Sequence, residues 1–593
     1  MGLLTRIASD ARIAAALTRV ARIAPLKPDA PTTYADRFEE RVQAQPERVA
    51  LIQGDRELSY GEVDAAANRF ARWAASQGVG RGDAVALLLG NRPELPIAWL
   101  GLAKLGAVAA LINHHLRGGA LAHCIDVAKA RFTVLNGEFA EAWESARPRL
   151  SGGSRAFVWH GEAAGAEPLD EALAERSPAP LPENTRKGLT AGDLFLYIYT
   201  SGTTGLPKAA RISHMRAMAI GSGAVAGLGL GPDDRMYDPL PLYHSAGGAM
   251  ALGGSLLAGA SVIIAPRFSA SSFWSDCVEH GATTFQYIGE LCRYLLNSPE
   301  HPDERSHNIR ACIGNGLRPE VWEPFQERFA IPKIVEFYGA TEGNVPLMNY
   351  DGKVGAVGRL PIWMRRPLGV HLVRYDVERD EHVRNEKGFC VPCGPDEPGE
   401  AIGRISKVAR FEGYSDAKAT QKKVLHDVFE KGDTYFRTGD LLRYDRDGYF
   451  YFVDRIGDTF RWKGENVSTG EVAEVLSRAL GVREANVYGV EVPEQEGRAG
   501  MAALVLEGDL DPAALYSHLE EELPVYARPL FLRIQPEMET TGTFKHRKVD
   551  LVGDGFDPGR VSDPLWFRDA EAKRYVPLDA ALHARLAAGE VRL

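Results

Sequence analysis

From Pro31 onward, short apolar runs alternate with amphipathic helical stretches, and this alternation constrains the fold more than any other feature of the chain. Helical spacing over Tyr60–Ser76 (YGEVDAAANRFARWAAS) leads into the apolar run Ala84–Leu89, and Ser261–Pro266 (SVIIAP) is another strand-like run. Strands and helices that alternate through short turns predict parallel sheets covered on both faces. After about Gly457 the style changes. Helix Gly470–Leu480, strands Ala485–Val492 and Met501–Gly508, and helix Asp511–Leu523 predict a smaller α+β unit. The expected organisation is a helical extension over 1–31, a large α/β domain over 32–456 and a small α+β domain over 457–593. The boundary falls at Asp454-Arg455-Ile456-Gly457. A chain of 593 residues is past the size that one core supports, in keeping with that division.

The net charge of −10 and the lack of a basic stripe with interleaved aromatics argue against a nucleic-acid partner. No apolar run approaches the ~18 residues of a spanning helix. Six cysteines in so long a chain are no disulfide framework, so a cytoplasmic location is expected. Cys390 and Cys393 form the one close pair; without a second pair at zinc-like spacing they read as small residues in a turn-rich segment. The Ala- and Arg-rich N-terminus has a longest uncharged run of six residues, Ile13–Thr18, short of a secretory segment. Its arginines do not segregate from Ile7, Ile13, Leu17 and Ile23, which leaves two readings open: a peripheral helix on a membrane or a helix docked on the protein. The oligomeric state is open too, a homodimer being one option.

The apolar run Leu194–Tyr199 breaks into the segment YTSGTTGLPK, Tyr199–Lys208. Thr200, Ser201, Thr203 and Thr204 offer hydroxyls, Gly202 and Gly205 let backbone N–H groups close on an anion, and Lys208 adds a mobile charge. It is not a Walker A loop, because counting from Gly202 puts Pro207 where the second glycine belongs. Alone, the loop reads equally as a solvated turn. Downstream, Gly314, Asn315, Gly316 and Leu317 have the small-residue character needed where a backbone lies flat against a ring. Tyr338, Gly339, Ala340, Thr341 and Glu342 follow with an aromatic face, a hydroxyl and a carboxylate. A lone glutamate beside a threonine suits Mg2+, which needs few protein ligands. Asp440 suits a pair of vicinal hydroxyls and Arg455 a phosphate or ribose, while Asp445 and Asp447 in RDG are hairpin-turn residues.

These segments together resemble the ANL superfamily of adenylate-forming enzymes; YTSGTTGLPK, YGATEGN and TGDL are its signatures, in order, within a resemblance covering about residues 32–560. FQYIGELCRYLLN, YFVDRIGDTFRWKGENVSTGEV and TGTFKHRKVDL are similar to the fatty acid transport protein / very-long-chain acyl-CoA synthetase subgroup. The resemblance implies the ANL fold, with a large domain of mostly parallel sheets and a smaller mobile C-terminal domain. It also implies ATP, Mg2+ and coenzyme A, and a two-step reaction in which a fatty acid becomes acyl-AMP, with release of pyrophosphate, and then acyl-CoA, with release of AMP. In that scheme the 199–208 loop holds the β- and γ-phosphates, Gly314–Leu317 line the adenine, and Asp440 and Arg455 hold the ribose. Glu342 and Thr203 are the expected magnesium residues.

His244 in PLYHSAGG matches the family histidine at the mouth of the acyl site. The resemblance assigns the adenylation lysine to Lys545, with Lys548 as the alternative, because Thr543-Phe544 is inserted before it. Gly457 occupies the family's hinge position, and Arg461, Lys463 and Gly464 belong to the turn that serves the CoA step. Tyr287 and Ile288 are expected to flank the carboxyl end of the acyl chain. Glycines 247, 248, 253 and 254 leave two readings, room for that chain or close helix packing. Long-chain or very-long-chain fatty acid is the expected substrate. The alternatives are a bile acid or steroid-side-chain acid, a membrane-associated uptake protein, and a module that loads a carrier protein.

Overall fold

The computed structural model describes residues 2–591 except Leu26, 153–154, 201–205, Glu378, Val408, 463–464, Glu494, Glu496 and 539–547. It divides into two compact units: Met1–Leu368 with Gly403–Leu425 and Thr434–Phe436, and Gly369–Ile402 with His426–Asp433 and Arg437–Leu593. The boundary expected at 454–457 falls inside the second unit, which also takes in strands from before that point.

The first unit carries two sheets. In one, five strands run parallel at the centre in the order Ile334–Tyr338, Ala311–Asn315, Thr284–Ile288, Arg235–Asp238, Ser261–Ile264, and Val49–Gln53 continues them in parallel. Antiparallel strands Leu347–Asn349 and Arg56–Ser59 close its two edges. The other runs Glu167–Pro168, Arg155–Val158, Phe132–Leu135, Ala84–Leu88, Val108–Leu111, Leu194–Thr200, Lys208–Ser213, parallel except for its last pair. The helix Tyr60–Ser76 has the expected bounds because Ser59 and Glu62 form a capping box at its start. Helix Glu94–Leu105 is buried on every side, as an all-round apolar helix must be. Its one ammonium, Lys104, is 0% exposed and is paired with Glu39 and Asp64.

The N-terminal helix, Leu3–Ile23, is docked on this unit. Ser9 donates to Asp351 at 2.5 Å, Arg12 pairs with the same carboxylate, and Arg359 reaches both Ser9 and Asp10. Leu4 and Ile7 remain exposed on it.

In the second unit, strands Val482–Val490, Ala499–Leu506, Phe531–Ile534, Leu565–Asp569 and Arg574–Pro577 form a sheet whose single parallel pair is Ala499–Leu506 with Phe531–Ile534. Helices Thr469–Ser477 and Pro512–Glu522 share its core. The first ends before the expected Leu480, ahead of the left-handed Gly481. Among the described residues no helix is long and apolar enough to cross a membrane.

Candidate active site

In the first unit, Thr200, Lys208 and Glu342, from two of the segments singled out from sequence, meet around Tyr414. Strand Lys208–Ser213 begins where the 201–205 segment ends, and a bridge from Ala210 to Tyr414 brings that ring alongside. The Tyr414 hydroxyl donates to Glu342 at 2.5 Å and is hydrogen-bonded to the Thr200 side chain, while the Lys208 ammonium stands 5.9 Å from the ring centroid. Burial and the Glu342 carboxylate both push the phenol well above its ordinary value, so the proton stays on Tyr414 and Glu342 accepts. Glu342 itself is 7% exposed.

The turn before Glu342 is held from behind. Arg216, on helix His214–Leu228, donates from Nε to the Thr341 carbonyl and from its terminal nitrogen to the Ala340 carbonyl, both at 2.9 Å. With those carbonyls tied, the Thr341 hydroxyl lies 3.0 Å from Ser245 Oγ. Ser245 follows His244 and opens a π-helix, Ser245–Leu252, a rare form that concentrates at functional sites. The half-buried His244 packs its ring on Tyr243. Three of the glycines are closely packed: a Cβ at Gly247 would lie 2.7 Å from the Pro241 carbonyl, one at Gly248 2.2 Å from that of Leu242, and one at Gly254 2.6 Å from that of Gly221 on the helix His214–Leu228, the one helix-to-helix approach among them.

Gly314–Leu317 end the strand Ala311–Asn315 and run into a turn with Gly316 at φ +80°. Beneath them lies Glu336, which accepts from the Gly316 and Leu317 amides and is hydrogen-bonded to the Tyr287 hydroxyl. This corrects the expected place of Tyr287. Its side chain is fully buried and its oxygen is committed to Glu336, so it does not flank a carboxylate.

In the second unit, Asp440 and Arg455 face each other across antiparallel strands, with Nε to Oδ1 at 3.9 Å. The turn before Asp440 rests on Glu400, which is 0% exposed, accepts from the Gly439 amide at 3.0 Å and from Arg437, and has His382 Nε2 at 2.5 Å. Despite burial, His382 and the Arg437 guanidinium hold the Glu400 carboxyl below the usual range. Lys548 donates to Thr469 at 2.8 Å and to Asp458 at 3.2 Å. Around Gly457, Asp458 and Thr459 donate back to the Arg455 carbonyl, and a Cβ on the glycine would meet nothing within 4 Å. Ser201, Gly202, Thr203, Thr204, Gly205, Lys463, Gly464 and Lys545 lie outside the described residues, as does the Arg461 side chain.

The family model of AMP-binding enzymes matches residues 38–400, and that of the AMP-binding enzyme C-terminal domain matches 471–545. This chain belongs to the AMP-binding enzyme family. Within it, the long-chain fatty acid transport protein 6 of Mus musculus is 44% identical, over 95% of this chain and 91% of that protein. Long-chain fatty acid transport protein 1 of Mus musculus is 44% identical over 94% and 88%. A crystal structure of an anthranilate CoA ligase in complex with anthranoyl-AMP shares the fold, with a TM-score of 0.76 at 23% identity over 89% of this chain and 97% of that one.

Three polar residues of this AMP-binding enzyme escaped the sequence reading. Tyr414 sits in a turn-rich stretch 72 residues from Glu342 with no spacing to connect them. Arg216 stands in a helix where an arginine reads as a solvated charge. Glu336 interrupts the apolar run IVEFY, and that interruption was its one available signal.

Proposed function

We propose that the protein is an AMP-forming acid–thiol ligase that activates a long-chain or very-long-chain fatty acid. The observation that carries this reading is the hydrogen-bonded meeting of Thr200, Glu342 and Tyr414, with the Lys208 ammonium 5.9 Å from the Tyr414 ring centroid, which brings two adenylation signature segments together. The 44% identity to long-chain fatty acid transport proteins supports the substrate class.

In the first step a carboxylate oxygen of the fatty acid bonds to the α-phosphorus of ATP as the bond to the bridging oxygen breaks, and pyrophosphate leaves. Charge builds on the transferred phosphoryl group, so fixed donors and cations are the main contribution of a protein to such a step. Lys208 and the 201–205 segment serve the departing phosphates. Arg216 fixes the carbonyls of Ala340 and Thr341, which leaves the Thr341 hydroxyl and the Glu342 carboxylate oriented together. A buried carboxylate flanked by hydroxyls is a hard-oxygen donor set that fits Mg2+, and Glu342 with Thr203 would hold the ion. When bound, Mg2+ neutralises phosphate charge. Asp440 and Arg455 are the ribose pair. In the second step the CoA sulfur bonds to the acyl carbon and AMP departs, with Arg461, Lys463 and Gly464 serving that half-reaction. Cytoplasmic location, with or without peripheral membrane contact, belongs to the same proposal.

Lys545 is the proposed adenylation lysine. Lys548 has its ammonium on Asp458 and Thr469, which favours Lys545 over it. Gly457 is the proposed hinge, and the open space around it leaves conformational freedom as the reason for a glycine there. The deciding experiment is CoA- and ATP-dependent AMP release across fatty acids of graded length and one bile acid. Release with long chains is expected, preference for the bile acid would move the substrate class, and no release with any acid overturns the ligase reading. In the same assay Lys545→Ala abolishes acyl-AMP formation and spares thioester formation from supplied acyl-AMP; that pattern in Lys548→Ala instead would exchange the two lysines.

A further inference from the structure

Three neighbouring parallel strands place Tyr287, Gly314 and Glu336 side by side in register. Side chains at paired positions share one face of a sheet, so a residue other than glycine at 314 would stand between the other two. The aromatic ring of Tyr287 fills that space: a Cβ at Gly314 would lie 2.4 Å from its Cδ2 and 2.6 Å from its Cε2. The hydroxyl thereby crosses the middle strand and meets Glu336 Oε2 at 2.5 Å. The other carboxyl oxygen, Oε1, takes the Gly316 amide at 2.5 Å and the Leu317 amide at 3.1 Å. On its other side the turn is stopped by Gly289, where a Cβ would come within 1.8 Å of the Gly316 carbonyl. The turn is thus clamped between a carboxyl group and a bare backbone.

We propose that Glu336, set by Tyr287 across the gap left by Gly314, is a positioning residue that fixes the Gly314–Leu317 turn for the nucleotide. This rests on the reading of that turn as the adenine-lining segment. The turn carries a left-handed residue, Gly316 at φ +80°, and two adjacent amides that no strand partner satisfies; a single acceptor for both holds it in one conformation. Glu336 is 2% exposed, and among the described residues no cation bears on it; Tyr287 and the thiols of Cys292 and Cys312 are its titratable neighbours. Burial lifts its carboxyl to about 8, so near neutral pH it is a neutral acid. In that form Oε1 accepts both amides, Oε2–H donates to the Tyr287 oxygen, and the Tyr287 hydroxyl turns to the Val335 carbonyl at 3.3 Å. A glutamine reproduces that pattern with its carbonyl and its NH2; an alanine removes it.

The test compares Glu336→Ala and Glu336→Gln in the full chain by two readouts: amide hydrogen exchange of the 314–318 segment, and steady-state KM for ATP against kcat. Glu336→Ala should speed exchange there and raise KM for ATP, each about tenfold, with kcat changed far less. Glu336→Gln should restore both toward the wild-type values. Wild-type exchange and KM in Glu336→Ala would overturn the proposal. So would an equal loss of kcat in both variants with KM unchanged, the mark of a merely structural role. Should the alanine variant not fold, Glu336→Gln still decides, because accelerated exchange at 316–317 in it contradicts the clamp. Failure of the wild type to use ATP would sink the ligase reading while leaving the exchange comparison to judge the clamp by itself.

Discussion

Glu336 and Glu400 do one job by opposite means. Each is fully buried, each lies under a turn whose glycine has φ +80°, and each accepts the amide of that glycine, Gly316 in one case and Gly439 in the other. Glu336 is surrounded by neutral partners, two amides and a phenol, and burial pushes its carboxyl up. Glu400 is met by the Arg437 guanidinium and by His382, and its carboxyl is pulled down. A neutral clamp is inexpensive to bury but binds amides weakly; an ionised clamp binds them strongly but must carry its cation with it. The first suits a turn proposed to lie against an uncharged base, the second a turn beside a carboxylate such as Asp440.

Four measurements separate the neutral carboxyl from the ionised one. Arg437→Ala should have the largest effect, a loss of about 3 kcal/mol in denaturant unfolding. This is the lower end for a broken buried pair, because the Arg437 side chain keeps 28% exposure. Glu336→Leu should cost about 1–3 kcal/mol, from two buried amides left unpaired; a cost above that of Arg437→Ala would break the distinction. The pH dependences should have opposite signs, each limited to about 1.4 kcal/mol per pH unit. The contribution of Glu336 is fully present below its unfolded value near 4.5 and is lost as pH rises toward and through about 8. Glu336→Gln should therefore flatten the fall of a calorimetric stability profile between about pH 4.5 and about pH 8. The contribution of Glu400 is present above its unfolded value and is lost as pH falls, so Glu400→Gln should flatten the acid side while lowering stability at neutral pH. Tyr287→Phe should be smallest, about 1 kcal/mol, since it removes one hydroxyl partner and leaves both amides bonded.

Local rules carried the sequence reading a long way. The capping box at Ser59, the alternating strands and the RDG turn, where Tyr444 pairs with Phe450, all lie within a few residues of their causes. Thr341, Glu342, Asp440 and Arg455 stood out in the signature segments, and the fold brings each to a partner. What stayed illegible is long-range. Tyr414 meets Glu342, Arg216 meets Thr341 and Tyr287 meets Glu336 only because distant strands and helices are laid side by side, and no periodicity reports such contacts. A tyrosine in an apolar run reads as a wall, and only its register with Gly314 shows that its hydroxyl is spent elsewhere.

The glycines after His244 set a limit on how the substrate range of such an enzyme can drift or be redesigned. Side chains added at 247, 248 or 254 would strike the carbonyls of Pro241, Leu242 and Gly221 before reaching any ligand. Mutations there, the first that an engineer would choose to narrow an acyl channel, would be removed as folding defects. Changes in chain-length preference therefore have to arise at side chains that already exist, not at these backbone positions.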